Sequence, residues 1–260
     1  MNKITNIESV INQGYDIDFG IVFNKAFENY KKIALVSGLV FIVFTIILAA
    51  LGMGIFAVFY TTINMTDFLA DLKIQNFSGT AIIIYIFSIV IITALLSPVY
   101  AGILKIADCA NQNQNFSIST AFEYYSNSYF KEIFTASVIV TFLSISISTL
   151  AQLINLNIVG ILISYTISFF TFLTIPLIIF GDLSAIAAIK ASFNIVKKQI
   201  IVLLGLLIVG ILATCLGIFG FCIGIFFTIP FIFSLYYIIY NEIIGTNILS
   251  EIDEIGTPES

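Results

Sequence analysis

The chain has 260 residues, of which 60% are hydrophobic and 10% charged, with ten lysines, no arginine, histidine or tryptophan, and a formal net charge of −5. Soluble domains carry about a quarter charged residues, so a mean hydropathy of +1.10 places the chain in a bilayer and leaves no room for a sizeable soluble domain. The missing histidine excludes His-held iron chemistry, as in membrane oxygenases, desaturases and carotene-cleaving enzymes, and His-dependent triads. Cys109, Cys215 and Cys222 have no ligand spacing and read as small packing residues. No cofactor, metal or nucleic-acid partner is expected.

Residues 1–32 form a polar N-terminal region, too polar for a cleaved signal peptide, so the first span is expected to be retained. Thr5-Asn6-Ile7-Glu8 fits a capping box, and Ile4, Ile7, Val10 and Ile11 share one face of a short surface helix. From Asp18 onward, Phe19, Val22, Phe23, Ala26, Phe27 and Tyr30 recur at spacings of three and four, with Lys25, Glu28, Lys31 and Lys32 opposite. That is the pattern of a helix lying in the membrane interface.

Charge-free intervals then cover 33–66, 74–104, 133–181 and 200–241. At about 20 apolar residues per crossing, their lengths give six spans at 33–56, 80–104, 133–154, 158–181, 199–217 and 220–240, the first able to reach Tyr60 with a bend at Gly52-Met53-Gly54. With six spans nine of the ten lysines fall on the side of the N-terminus and only Lys73 on the other. The excess of positive charge belongs in the cytoplasm, so both termini are expected there, in a bacterial inner membrane. Residues 241–260 make an acidic cytoplasmic tail.

The predicted fold is an all-α polytopic membrane protein of three helical hairpins, each preceded by a cytoplasmic amphipathic interfacial helix. AFEYYSNSYFKE, after Thr120-Ala121-Phe122-Glu123, and DLSAIAAIKASFNIVKK, with Asp182 and Ser184 as caps, echo the segment before the first span. Lys31, Lys32, Lys131, Lys197 and Lys198 are the interfacial cations. FxTIP recurs at Phe172–Pro176 and Phe226–Pro230, with Leu95-Leu96-Ser97-Pro98 as a looser third copy. Each proline frees the carbonyl four residues back, at Ala94, Phe172 or Phe226. In lipid that carbonyl needs a partner, which Ser97, Thr174 or Thr228 is placed to supply. Pro98, Pro176 and Pro230 are therefore expected to kink the returning helices.

Asp108, Asp182 and Glu242 close the returning helices. Solvated helix ends, paired with Lys105, Lys131 or Lys190, explain them better than a cation-binding ring. Hydroxyls populate the third span as Ser137, Thr141, Ser144, Ser148 and Gln152, and the fourth as Ser164, Ser168 and Thr171. Such stripes let helices approach and hydrogen-bond; a solute path is the alternative. Gly220 and Gly224 make a further small-xxx-small contact.

AIKASFNIVKKQIIVLLGLLIV, followed by FFTIPFIFSLYYIIYNEI, resembles a group of bacterial six-helix membrane proteins that includes the membrane domain found beside glycerophosphoryl diester phosphodiesterases. The resemblance, over residues 18–245 in outline, implies the fold; the catalytic domain of those fusions has no counterpart here. The function expected first is a non-enzymatic organising or accessory membrane protein, acting on the lipid bilayer, a membrane-protein partner or a second copy. A small transporter or lipid-handling protein is the alternative, and a His-independent membrane enzyme the second alternative.

Overall fold

The computed structural model describes residues 3–60, 77–219 and 223–245. The loop at 61–76 with Lys73, the residues 220–222 with Gly220 and Cys222, and the acidic tail from 246 on lie outside the described residues. Ten α-helices are described: α1 (Lys3–Gln13), α2 (Phe19–Tyr60), α3 (Gly79–Asn111), α4 (Phe130–Leu153), α5 (Asn157–Thr171), α6 (Thr174–Ile179), α7 (Ala185–Val196), α8 (Ile200–Cys215), α9 (Ile223–Thr228) and α10 (Pro230–Tyr240). Short 3-10 segments occupy Ile118–Tyr125 and Leu216–Phe219, and a π turn Asn241–Gly245. Six stretches are long and apolar enough to cross a bilayer, at Phe19–Ala50, Gly79–Asn111, Phe130–Leu153, Asn157–Ile179, Ile200–Phe219 and Gly224–Gly245. The protein is an all-helical, multi-pass membrane protein.

The last span is the centre of the bundle. Half of its apolar window is buried, against 22–28% for the other five, and α10 packs on α2, α3 and α8. A hydrogen-bonded chain fixes this contact: Ser234 Oγ donates to Ala26 O at 2.7 Å and Asn29 Oδ1 at 2.9 Å, while Asn29 Nδ2 donates to Ala107 O at 2.8 Å. These groups are buried, so each bond also avoids the penalty of an orphaned polar atom. The rings of Phe23, Phe27 and Tyr30 meet Phe231 at 5.6–6.4 Å between centroids.

The N-terminal part of α2 differs from the expected interfacial helix with a boundary at 32/33. One helix runs from Phe19 to Tyr60, because Val22, Ala26, Asn29, Ile33, Ser37 and Val40 continue a single buried stripe across that boundary and no proline interrupts it. The aromatic face is only half recruited, since Phe19 and Phe27 stay exposed. α1 begins at Lys3, which puts Thr5 inside the helix instead of at its cap. Ile7 and Val10 are buried, and α1 packs on α7 and the π turn, where Asn6 Nδ2 donates to Ile244 O at 2.6 Å.

Two other caps are supplied differently from the sequence expectation. Thr120 lies within the 3-10 segment and its Oγ1 accepts from Ser117 N–H at 3.1 Å, so the cap sits three residues upstream. At α7, Ser184 has the extended backbone of an N-cap but makes no side-chain cap bond. Glu132 of α4 caps it instead, its Oε2 accepting from Ala185 N–H at 2.7 Å. A carboxylate there also suits the positive end of the helix dipole.

Candidate functional site

The three prolines have three outcomes. Pro98 lies within an unbroken α3, where Ser97 Oγ donates to the released Ala94 carbonyl at 2.7 Å. At Pro176 the helix is interrupted: α5 ends at Thr171 and α6 restarts at Thr174. Thr174 does not serve the Phe172 carbonyl, for its hydroxyl is buried without a hydrogen-bond partner; the restart makes Thr174 the first residue of a new helix. At Pro230, α9 ends at Thr228 and α10 begins at the proline. Thr228 Oγ1 donates to Thr214 O of α8 at 2.8 Å, with longer bonds to Gly224 O and Ile225 O, and so joins two spans without reaching Phe226. Gly224 lies where an added methyl would strike the Gly217 carbonyl.

The hydroxyl stripe of α4 divides along its length. Toward the turn at Ile154–Leu156, Ser148 is buried, accepts from Gln152 Nε2 at 3.2 Å and backs onto Gly160 of α5. That half is a packing contact. Ser144 and Ser164 are half-buried beside it. At the other end, Ser137 lines a cleft of about 380 Å³ with Thr93, Leu96, Ser97, Tyr100, Val140, Ser168, Thr171, Phe172, Ile175 and Tyr236.

This cleft lies between α3, α4, α5 and α10 beside the break at Pro176. Its floor is buried at Ser97 and Phe172, whereas Thr93 and Ser168 are exposed, so it opens outward between spans. Tyr100 precedes Lys105 by five residues, Ser137 follows Lys131 by six and Tyr236 precedes Glu242 by six. At 1.5 Å per helical residue the site therefore lies about 8–9 Å below the lysine-rich end of the bundle. Its volume is in the range of small-molecule sites, about 300–1,000 Å³, and no charged residue lines it.

Seven lining residues carry hydroxyls. Ser97 and Thr171 use theirs on helix carbonyls, Ala94 O and Ile167 O. Those of Thr93, Tyr100, Ser137, Ser168 and Tyr236 have no hydrogen-bond partner among the described residues. Their alcohols converge from four helices, and in lipid an unmet hydroxyl costs free energy. The geometry suits a neutral polar group with apolar flanks, donating to or accepting from hydroxyls. It does not suit acid–base chemistry, since the lining offers neither a carboxylate nor an amine. Ser137, Ser168 and Thr171 stood out in the sequence as a periodic stripe, and Ser97 beside its proline. Thr93, Tyr100 and Tyr236 carry no such signal, being scattered polar groups in two apolar spans, the second and the last.

Each rim carboxylate has partners among the described residues. Asp108 accepts from Lys105 Nζ at 2.7 Å, Gln112 Nε2 at 2.6 Å and Tyr237 OH at 3.0 Å. Glu242 pairs with Lys25 at 2.8 Å, and Asp182 accepts from the Tyr129 hydroxyl. Among the described residues, neither Lys131 nor Lys190 forms an ion pair with them. Among the interfacial cations, Lys31 pairs with Glu28 at 2.6 Å and sits over the Phe27 ring. Lys32 donates to Ala110 O at 3.1 Å and Asn113 Oδ1 at 3.0 Å, capping the end of α3. Lys197 lies 6.0 Å from the Phe193 ring centroid, and Lys131 and Lys198 are exposed. Among the described residues no group of three or more Cys, Asp or Glu could hold a metal ion.

Comparison with known protein families, curated proteins and solved structures finds no match.

Proposed function

We propose that this chain is a non-enzymatic lipid-handling protein, which takes a neutral amphiphile from the surrounding bilayer into the cleft between α3, α4, α5 and α10. The observation that carries this reading is the convergence of five unpartnered hydroxyls, from Thr93, Tyr100, Ser137, Ser168 and Tyr236, in an uncharged cleft that opens outward. An ester or alcohol of a glycerolipid satisfies those hydroxyls, while Leu96, Val140, Phe172 and Ile175 cover its apolar flanks. The organising role expected first from the sequence has no comparable feature in its favour. In this reading the lysine-rich end faces the cytoplasm of a bacterium, as the lysine bias supports, and the cleft opens in the cytoplasmic half of the inner membrane.

The test is retention of a fluorescent diacylglycerol by the purified chain in neutral-lipid nanodiscs. Ser137→Ala, Ser168→Ala and Tyr236→Phe together remove three hydrogen-bonding groups at about 0.6 kcal/mol each, and more than about tenfold loss of affinity is expected with unfolding temperature unchanged. Unchanged retention in the folded triple variant would sink the proposal.

A further inference from the structure

A second groove lies on the other side of α5, sharing Thr171 with the cleft. It has a volume of about 590 Å³ and is lined by Leu143 of α4, Thr166, Ile167, Phe170 and Thr171 of α5, and Ile189, Lys190, Phe193 and Asn194 of α7. Its wall is a fixed part of the fold. Ser192 Oγ donates to Phe170 O at 2.8 Å, and the Phe170 and Phe193 rings stand 4.9 Å apart.

We infer that this groove binds one anionic phospholipid, an acyl chain lying against Leu143, Ile167, Phe170 and Ile189 and the phosphate held by Lys190 and Asn194. The two polar residues are one turn apart on the same face of α7, Lys190 exposed and Asn194 half-buried, beside a lining that is apolar apart from Thr166 and Thr171, whose hydroxyls are spent on carbonyls of their own helix. Neither the Lys190 ammonium nor the Asn194 amide has a hydrogen-bond or ion-pair partner among the described residues. Lys197 adds a second cation at the same edge, over the Phe193 ring that lines the groove. A cation and an amide donor above an apolar slot match an anion carrying a hydrocarbon chain. A zwitterionic lipid brings an ammonium to the same place and loses the advantage. α7 joins the fourth span to the fifth, so an occupied groove would tie α7 to α4 and α5. The inference is independent of the neutral-amphiphile cleft.

The full chain, purified in neutral detergent and exposed to equimolar phosphatidylglycerol and phosphatidylcholine, is weighed by native mass spectrometry. One phosphatidylglycerol per chain is expected to persist in preference to phosphatidylcholine. Lys190→Gln should weaken its retention about fivefold, the worth of one lysine at an anionic membrane surface. Lys190→Arg should keep it, and so should Lys131→Gln, which removes an exposed lysine outside the groove. Equal retention of the two lipids, or equal losses in Lys190→Gln and Lys131→Gln, would overturn the inference. So would displacement of the lipid by millimolar inorganic phosphate, which would reduce the site to a free-anion site. Lys190→Arg shows whether the position tolerates substitution, and loss of retention in that folded variant would also count against the proposal.

Discussion

The hydroxyl of Tyr237 donates to Oδ1 of Asp108 at 3.0 Å, tying the last span to the second where the lysine-rich end begins. Asp108 is almost fully buried and also accepts from Lys105 and Gln112, so the phenol is one of three donors that replace water around a carboxylate. A hydrogen bond to a charged group contributes about 1.5–3 kcal/mol. Tyr237→Phe is expected to lower the unfolding temperature in detergent by about 2–4 °C for each kcal/mol lost. An unchanged unfolding temperature would show that Gln112 and Lys105 suffice.

Tyr129 and Asp182 make a second inter-element bond, from the start of α4 to the turn after α6. The hydrogen bond to the Asp182 carboxylate, followed by desolvation and the charge of Asp182, raises the Tyr129 pKa above its ordinary value near 10. A raised folded-state pKa means that the bond's stability is fully present below the unfolded value and is lost as pH rises through the folded value. Unfolding followed from pH 9 upward should show a decline beginning around pH 10 that is weaker in Tyr129→Phe. Identical pH profiles for the two proteins would remove Tyr129 from this account.

Gly102 packs directly on the backbone of Ala121, where a methyl would overlap the Ala121 carbonyl. Backbone has no rotamer with which to yield, so α3 and the 3-10 segment must separate. Gly102→Ala is expected to cost at least about 1–3 kcal/mol, the usual penalty of overpacking. Gly79→Ala, at a position with open space around the added atom, is the control and should unfold as the unaltered protein does. Equal stability of the two variants would contradict the close contact.

The spans were legible because six apolar crossings leave no alternative at this composition, and lysines and carboxylates mark where they stop. The continuity of α2 was not, because Asn29 belongs to its buried stripe yet sits among Glu28, Lys31 and Lys32, where a hydropathy pattern reads it as solvent-facing. The partners of Asn29, Ser234 and the Ala107 carbonyl, are distant in the chain. Glu132 capping α7 was illegible for the same reason: it is 53 residues from Ala185. The proline motifs were visible as motifs, yet identical FxTIP strings end their helices at different places, before Thr174 in one copy and before Pro230 in the other. Packing against other spans decides that, and local sequence does not. The cleft was half visible, through the stripe of Ser137, Ser168 and Thr171, and needed Tyr100 and Tyr236 to be brought beside it.

The central claim, that a neutral amphiphile enters the cleft between α3, α4, α5 and α10, is tested most directly by photo-crosslinking. A diacylglycerol with a diazirine next to its ester is incorporated in phosphatidylcholine vesicles holding the full chain, and the labelled residues are mapped by mass spectrometry. Labelling concentrated at Thr93–Tyr100 and Ser168–Ile175, and competed by unlabelled diacylglycerol, is the predicted result. Labelling spread evenly over outward-facing positions such as Ile83, Phe87, Ile201 and Ile208, with no competition, would contradict it.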